Sequence, residues 1–261
     1  MESFDQFIDV VKTLRAPGGC PWDQKQTFSS LIPHIIEEAY ELTDAMKTGP
    51  NDHLKEELGD VLLHVVMLSN MAEEQQAFSI KDVTEGVMAK MVRRHPHVFG
   101  DQKVDSVDEV WHNWEKIKET ESPQSTMASV APSLPALMQA HKIQKRAARL
   151  GFDWEHVKGA QDKLHEELIE FEEAINQTPK NTDAILDEAG DVLFSFVNIL
   201  RKLDIDPEDA LKQCNQKFMS RFNMMESLSS DKFQKPFSSL SLDEMETLWE
   251  ESKLQLNKVD N

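Results

Sequence analysis

Two stretches of the chain are nearly the same helix written twice. Residues 56–63 read EELGDVLL and residues 187–194 read DEAGDVLF, and each follows a second acidic helix, EEAYEL at 37–42 and EELIEF at 166–171. Carboxylates on an apolar helix are costly to bury unless a partner is supplied. The repetition therefore constrains the fold more than any single motif does. It extends well beyond these stretches. Glu38 and Glu41 correspond to Glu167 and Glu170, and Glu57 and Asp60 to Glu188 and Asp191. Lys90 and Arg94 correspond to Lys217 and Arg221. DEVWHNWEKIK at 108–118 aligns with DEMETLWEESK at 243–253, placing Trp114 over Trp249 and Lys118 over Lys253. GCPWD at 19–23 echoes GFDWE at 151–155. The offsets drift by a few residues, as changes in loop length would cause. One helical module has been duplicated, which differs from a short-period solenoid.

Apolar residues recur at helical spacing and predict helices near 2–14, 28–47, 52–76, 79–93 and 107–121, then 134–149, 159–177, 182–203, 206–228 and 241–257. Thr27 is a start signal, Ser241 with Glu244 makes a capping box, and Pro207 suits a first turn. The composition, with 9 Gly and 1 Tyr in 261 residues, favours an all-α chain over a sandwich or barrel. Between the copies, SPQSTMASVAPSLP at 122–135 is rich in Ser and Pro and reads as a linker. The expected organisation is a first module at 1–121, a linker at 122–135 and a second module at 136–261.

A net charge of −19 argues against a DNA, RNA or anionic-membrane surface. No apolar run is long enough to span a bilayer, and the first helix is acidic and amphipathic, unlike a signal peptide. Cys20 and Cys214 form neither a disulfide framework nor zinc-ligand spacing, so a cytoplasmic protein is expected. A phosphate-bearing small molecule remains compatible with the acidity, provided a divalent cation sits between the two sets of charge.

Glu167 and Glu170 are one helical turn apart, as are Glu188 and Asp191 on the next helix, and NQTPKNTD between them allows an antiparallel return. Gly190 is expected to let the two helices approach, and the flank VLFSFVNIL looks buried. Four carboxylates in one cleft raise one another's pKa and call for a counter-charge. With no Cys or His in register, the oxygen donor set selects Mg²⁺, with Mn²⁺ as a substitute, before Zn²⁺. The bland alternative is a solvated acidic face. Lys217 and Arg221 share a face and could hold phosphate, or form an ordinary solvent face. Trp249 and Lys253 repeat that spacing, with Trp249 serving as core or as a stacking surface. Lys163, one turn before Glu167, suits phosphate or a plain ion pair. RRHPHVF at 93–99 reads as a capped helix stop. Glu109 and His112 form a single E-x-x-H, and a di-iron bundle would require a second. No P-loop, dinucleotide glycine fingerprint or G-x-S-x-G elbow is present.

The order E-E-x-x-E, E-x-x-D, K-x-x-x-R and W-x-x-x-K, in tandem with RRHPHVF and GFDW, resembles the MazG family of nucleoside triphosphate pyrophosphohydrolases. The resemblance implies a dimerising all-α helical bundle that uses Mg²⁺ to cleave NTP or dNTP to monophosphate and pyrophosphate. Carried over by position, it implies Glu167, Glu170, Glu188 and Asp191 as metal ligands. It implies Lys163, Asn215, Lys217, Arg221, Trp249 and Lys253 as nucleotide contacts, with Glu166 or Glu167 acting on the attacking water. Glu38, Glu41, Glu57 and Asp60 form a candidate second metal cluster. Met88 stands where the second copy has Asn215, so the second module is expected to carry the chemistry and the first to be structural, dimerising or regulatory. Asp187 and Ala184 stand where the family often carries Glu and Lys. The alternatives are a non-catalytic scaffold that senses nucleotide or metal, and a dUTP-selective relative.

Overall fold

A computed structural model describes residues 2–121, 127 and 130–259, apart from the side chains at 108, 112, 115, 118, 119 and 257–259. Among the described residues every regular element is helical. The chain divides into two compact units, Met1–Ser122 and Pro123–Asn261.

The first unit contains α1 (Glu2–Arg15), α2 (Pro21–Gln24), α3 (Phe28–Lys47), α4 (Asp52–Glu74), α5 (Ile80–Arg94), α6 (Pro96–Phe99) and α7 (Val107–Glu121). Helices α3 and α4 begin where a side chain satisfies free backbone N–H groups. Thr27 Oγ1 accepts from Ser30 N–H while Ser30 Oγ accepts from Thr27 N–H, at 3.1 and 2.9 Å. Asn51 Oδ1 accepts from Leu54 N–H at 2.9 Å and starts α4. The short loop at 48–51 folds α4 back along α3, α1 packs on α4, and α5 packs on α4 and α7. The core is Val11, Leu31, Val66, Met67 and Met71, flanked by Phe4, Phe7, Ile8, Ile35 and Leu63. Leu31 is fully buried, which contributes about 2 kcal/mol.

The second unit contains α8 (Ala136–Arg149), α9 (Val157–Asn176), α10 (Thr182–Lys202), α11 (Pro207–Phe233) and α12 (Leu242–Val259), with a 3-10 turn at Phe237–Ser239. Helices α9 and α10 form a hairpin like that of α3 and α4. Helix α8 lies against α10 and α11, and α12 packs on α11. Gln144 Nε2 donates to the Phe194 carbonyl at 2.7 Å, tying α8 to α10. The repeated tryptophan loop is anchored too, since Asp153 pairs with Arg201 at 2.6 Å and Lys202 at 3.1 Å. A second core joins Met225, Leu240 and Leu248 with Phe222, Phe237, Met245 and Trp249.

The expected helices are all present, and the capping box of Ser241 and Glu244 forms, with Glu244 Oε2 accepting from Ser241 N–H at 2.8 Å and Ser241 Oγ accepting from Glu244 N–H at 3.3 Å. Differences are local. Helices α2 and α6 were not expected: each is a single turn opened by a proline. Helix α11 runs to Phe233, past the expected end at 228, and the added turn is held by packing, with Leu228 and Phe233 against the second core and Ser229 buried. It stops at Gln234 in the left-handed conformation, φ 51°. Half of the expected linker, 122–126 with 128 and 129, lies outside the described residues. Its later part packs on the second unit, with Val130 buried. Two expectations fail. The flank of α10 is buried on one side only: Ser195, Val197 and Ile199 face inward, while Leu193, Phe194 and Phe196 are exposed. A Cβ on Gly190 would meet nothing within 4 Å, so this glycine borders open space and does not mediate helix approach.

Candidate functional site

Helices α9 and α10 bring Glu167, Glu170 and Glu188 together, with one oxygen of each within 4.8 Å of the others. Glu167 is buried, Glu188 half-buried and Glu170 exposed, so the cluster opens to solvent along one side. Loss of solvent, followed by the charges of Glu170, Asp187, Asp191 and Glu167, pushes the Glu188 carboxyl above the ordinary carboxylate range. Asp191 is exposed and stands outside the close set. It lines a shallow cleft with Ala184, Asp187 and Gly190, from which its charge still reaches Glu188. An all-oxygen donor set of this kind fits Mg²⁺ or Mn²⁺.

The cluster already contains one cation. Lys163 Nζ lies 2.7 Å from both Glu166 Oε1 and Glu167 Oε1, and these bonds raise the lysine's pKa. Lys163 is therefore an ion-pair partner of two of the acids.

Lys217 and Arg221, on successive turns of α11, line a cleft of about 610 Å³ with Ala210, Gln213, Cys214, Ser220 and Leu256. The four acids are not part of its lining. Arg221 lies over the Trp249 ring, 5.5 Å from its centroid, and Phe218 packs against the same indole at 5.3 Å. Trp249 is half-buried and packs against the second core, with Arg221 over its ring. Asn215 is exposed and outside this lining, and Lys253 pairs with Glu250 at 2.5 Å.

The first unit assembles the corresponding acids with different neighbours. Oxygens of Glu38, Glu41 and Glu57 likewise lie within 4.8 Å of one another, and Asp60 again lies outside the close set. Glu57 is 6% exposed, and its Oε2 is buried without a hydrogen-bond partner. Burial first, then Asp60, Glu41, Glu57 and Glu37, raises the Glu38 carboxyl. Three histidines flank this cluster, and sequence reasoning missed them. His53 Nδ1 is 3.3 Å from Glu57 Oε1, and His64 Nε2 is 3.9 Å from Glu38 Oε1. The His34 ring lies parallel to that of His64 at 6.4 Å. Burial, and next the adjacent His34, hold His64 below the usual imidazole range. The signal was present in the alignment of the copies: at their offsets of 129 and 131, His34, His53 and His64 fall opposite Lys163, Ala184 and Ser195.

Arg93 and Arg94 of the first unit are committed internally. Arg93 Nε donates to Glu121 Oε1 at 2.5 Å, and Arg94 donates to Glu121 Oε2 through Nε at 3.0 Å and again through Nη2. His95 Nδ1 reaches the Met91 carbonyl at 2.7 Å, so RRHPHVF ends α5 as expected and then forms the single turn of α6. The side chains of His112 and Lys118 lie outside the described residues.

Comparison with known proteins agrees with the geometry. The MazG nucleotide pyrophosphohydrolase domain matches residues 26–99 and 157–225, covering the acidic hairpin of each unit. A nucleoside triphosphate pyrophosphohydrolase/pyrophosphatase MazG from Thermotoga maritima is 42% identical over 250 residues, covering 96% of this chain and 95% of the relative. A nucleoside triphosphate pyrophosphohydrolase from Escherichia coli K12 is 38% identical over 260 residues, covering 98% of both. An uncharacterised Bacillus subtilis protein, YabN, is 44% identical over 253 residues, which span 51% of its length. The duplicated hairpins, their carboxylates and these matches together place the chain in the MazG nucleotide pyrophosphohydrolase family.

Proposed function

We propose that the chain hydrolyses nucleoside triphosphates and their deoxy forms at the α–β phosphoanhydride, releasing monophosphate and pyrophosphate, with Mg²⁺ held by the second unit, as a house-cleaning activity on the nucleotide pool. The observation that carries this reading is the close set of Glu167, Glu170 and Glu188 on facing helices of a MazG-family hairpin. Glu167, Glu170 and Glu188 hold the cation, with Asp191 at the open edge. A bound Mg²⁺ supplies charge neutralisation to the triphosphate and polarises the phosphoryl group under attack.

The protein's own residues do the rest. Water attacks the α-phosphorus, the bond from that phosphorus to the bridging oxygen breaks, and Glu166 or Glu167 takes the water's proton. Lys163, already bonded to both glutamates, holds their orientation and adds positive charge beside the phosphates. Lys217 and Arg221 stabilise charge on the departing pyrophosphate, and Trp249 offers a face for the base. The arginine of the first unit is clamped by Glu121, whereas Lys217 and Arg221 line an open cleft, which favours the second unit as the catalytic one. The exposed apolar residues of the hairpins, Ile32, Ile36 and Tyr40 on α3 and Leu193, Phe194 and Phe196 on α10, support a homodimer that covers them.

The test is pyrophosphate release from a panel of NTPs and dNTPs, with and without Mg²⁺, for wild type, Glu167→Gln and Glu38→Gln. Mg²⁺-dependent release lost in Glu167→Gln and kept in Glu38→Gln is the expected result. Loss in both would indicate two cooperating sites. No release from any nucleotide would leave a non-catalytic scaffold as the better reading.

A further inference from the structure

We infer that Trp154 carries the nucleotide base at the head of the acidic groove of the second unit, an aromatic contact additional to Trp249. The inference rests on the nucleotide reading proposed above and deepens it, by giving the nucleoside half of the substrate a surface beside Lys163.

The seat of this indole is built into α9. A Cβ on Gly159 would come within 2.3 Å of Trp154 Cδ1 and 2.5 Å of its Cγ, so the ring lies against the helix backbone where any larger residue would push it off. Close approach thus accounts for the glycine. The loop that brings the ring there is anchored as well. Asp153 pairs with Arg201 and Lys202 at 2.6 and 3.1 Å, and Lys202 also donates to the Trp154 carbonyl. Yet the residue is 44% exposed. An indole whose loop is anchored and whose ring stays nearly half open is built as a stacking platform more than as core packing.

The platform lies on the side of the acids. Gly159, Lys163, Glu166 and Glu170 fall on one stripe of α9. The seat of Trp154 is therefore about 6 Å along the axis from Lys163, whose Nζ is bonded to Glu166 and Glu167. The duplicated loop of the first unit has the same reach. Trp22 stands where Trp154 does, and His34 where Lys163 does. Their rings meet edge to face, with centroids 6.1 Å apart. In each unit, then, the loop sets its tryptophan at the head of the acid-bearing stripe. With the phosphates at Lys163 and the acids, as proposed above, the base needs a surface that carboxylates do not offer. Its π face stacks on aromatic rings, and Trp154 presents one a single turn away.

The experiment is calorimetric titration of the full-length protein in Mg²⁺ with two probes. One is an α,β-imido nucleoside triphosphate, which resists cleavage at that bond; the other is inorganic tripolyphosphate, which has no base. The variants are Trp154→Ala, Trp154→Phe and Gly159→Ala, each checked for helical content and cooperative melting. Trp154→Ala is expected to weaken the imido analogue by about 10–100-fold while leaving tripolyphosphate unchanged. Gly159→Ala is expected to act in the same base-dependent way, because its Cβ displaces the ring. Trp154→Phe is expected to recover most of the loss. Analogue affinity unaltered in folded Trp154→Ala or Gly159→Ala, an equal loss for tripolyphosphate, or no recovery in Trp154→Phe would overturn the inference. A wild type that binds neither probe would overturn it together with the nucleotide reading. Absence of pyrophosphate release, with Trp154-dependent binding of the analogue intact, would count against the catalytic reading alone.

Discussion

Arg94 is held by Glu121, whose Oε2 accepts from two nitrogens of the guanidinium. Its counterpart Arg221 sits over a tryptophan in the same way, at 5.5 Å against 5.4 Å, but lacks that carboxylate. At the offset that sets Trp114 over Trp249, Glu121 falls opposite Leu256, which lines the cleft containing Lys217 and Arg221. A single position thus separates an arginine clamped in the fold from one open to an anion.

Leu256→Glu should therefore draw Arg221 into an internal ion pair. The expected result is a rise of about tenfold in KM for nucleoside triphosphate, as when a substrate phosphate forfeits one charge-assisted hydrogen bond, with melting temperature little changed. Steady-state kinetics beside a thermal melt would show it, and an unchanged KM would remove Arg221 from the residues that hold substrate.

Lys163 holds Glu167 Oε1 at 2.7 Å, where a bound metal ion would have to compete with it. Lys163→Met should raise Mg²⁺ affinity of the nucleotide-free protein severalfold, because the cluster loses its internal cation, and should raise KM for nucleotide. Calorimetry and kinetics would then move in opposite directions. A fall in Mg²⁺ affinity would mean that the lysine chiefly orients the glutamate.

The clamp of the first unit has a pH signature. Hydrogen bonds from Arg94 and then Arg93 hold the Glu121 carboxyl down to about 2, against an ordinary value of 4.5. A depressed carboxyl stabilises the fold above its unfolded pKa, and that contribution disappears as pH falls through the folded value. The melting difference between wild type and Glu121→Gln should be full above about pH 4.5 and shrink steadily towards pH 2. A difference independent of pH would contradict the ion-pair account.

Trp249 packs against the second core while Arg221, which lines the cleft, lies over its ring. Trp249→Ala should cost about 3 kcal/mol in denaturant unfolding, since it removes an indole packed beside Met225, Leu240 and Leu248. Trp249→Phe should recover most of that stability. If Trp249→Phe also restores nucleotide KM, the ring's contribution is shape; if KM stays high, the indole face itself is read by the base.

The apolar side of α10 gives a test of assembly. Phe196 is 49% exposed in a single chain. Phe196→Glu should shift the protein to monomer in sedimentation velocity while leaving helical content intact. A wild type that already sediments as a monomer would leave those side chains without the proposed cover.

The helices were legible because their boundaries are chemical: Thr27 accepts a backbone N–H at the start of α3, Ser241 and Glu244 form their capping box, and Pro207 opens α11. The acid clusters were legible because carboxylates one turn apart on consecutive helices meet once a short loop folds the hairpin. Asp191 and Asp60 lie outside the close sets, since i,i+3 spacing fixes a shared face but not the depth of each residue within the groove. The burial of α10 was overread for a related reason. An apolar run such as VLFSFVNIL shows that a helix has two greasy sides, not which one its own unit covers. The histidines around Glu38 were visible in the alignment of the copies, but only three-dimensional proximity gives single histidines meaning.

The substitution at Glu121 and Leu256 also makes the duplicated backbone portable. Both units hold an arginine over an indole at nearly the same distance. Exchanging these two residues should therefore move the proposed anion contact from Arg221 to Arg94 without altering a helix or a loop. Each half is a blank for the other, and what separates their two arginines is a carboxylate at the tip of α7.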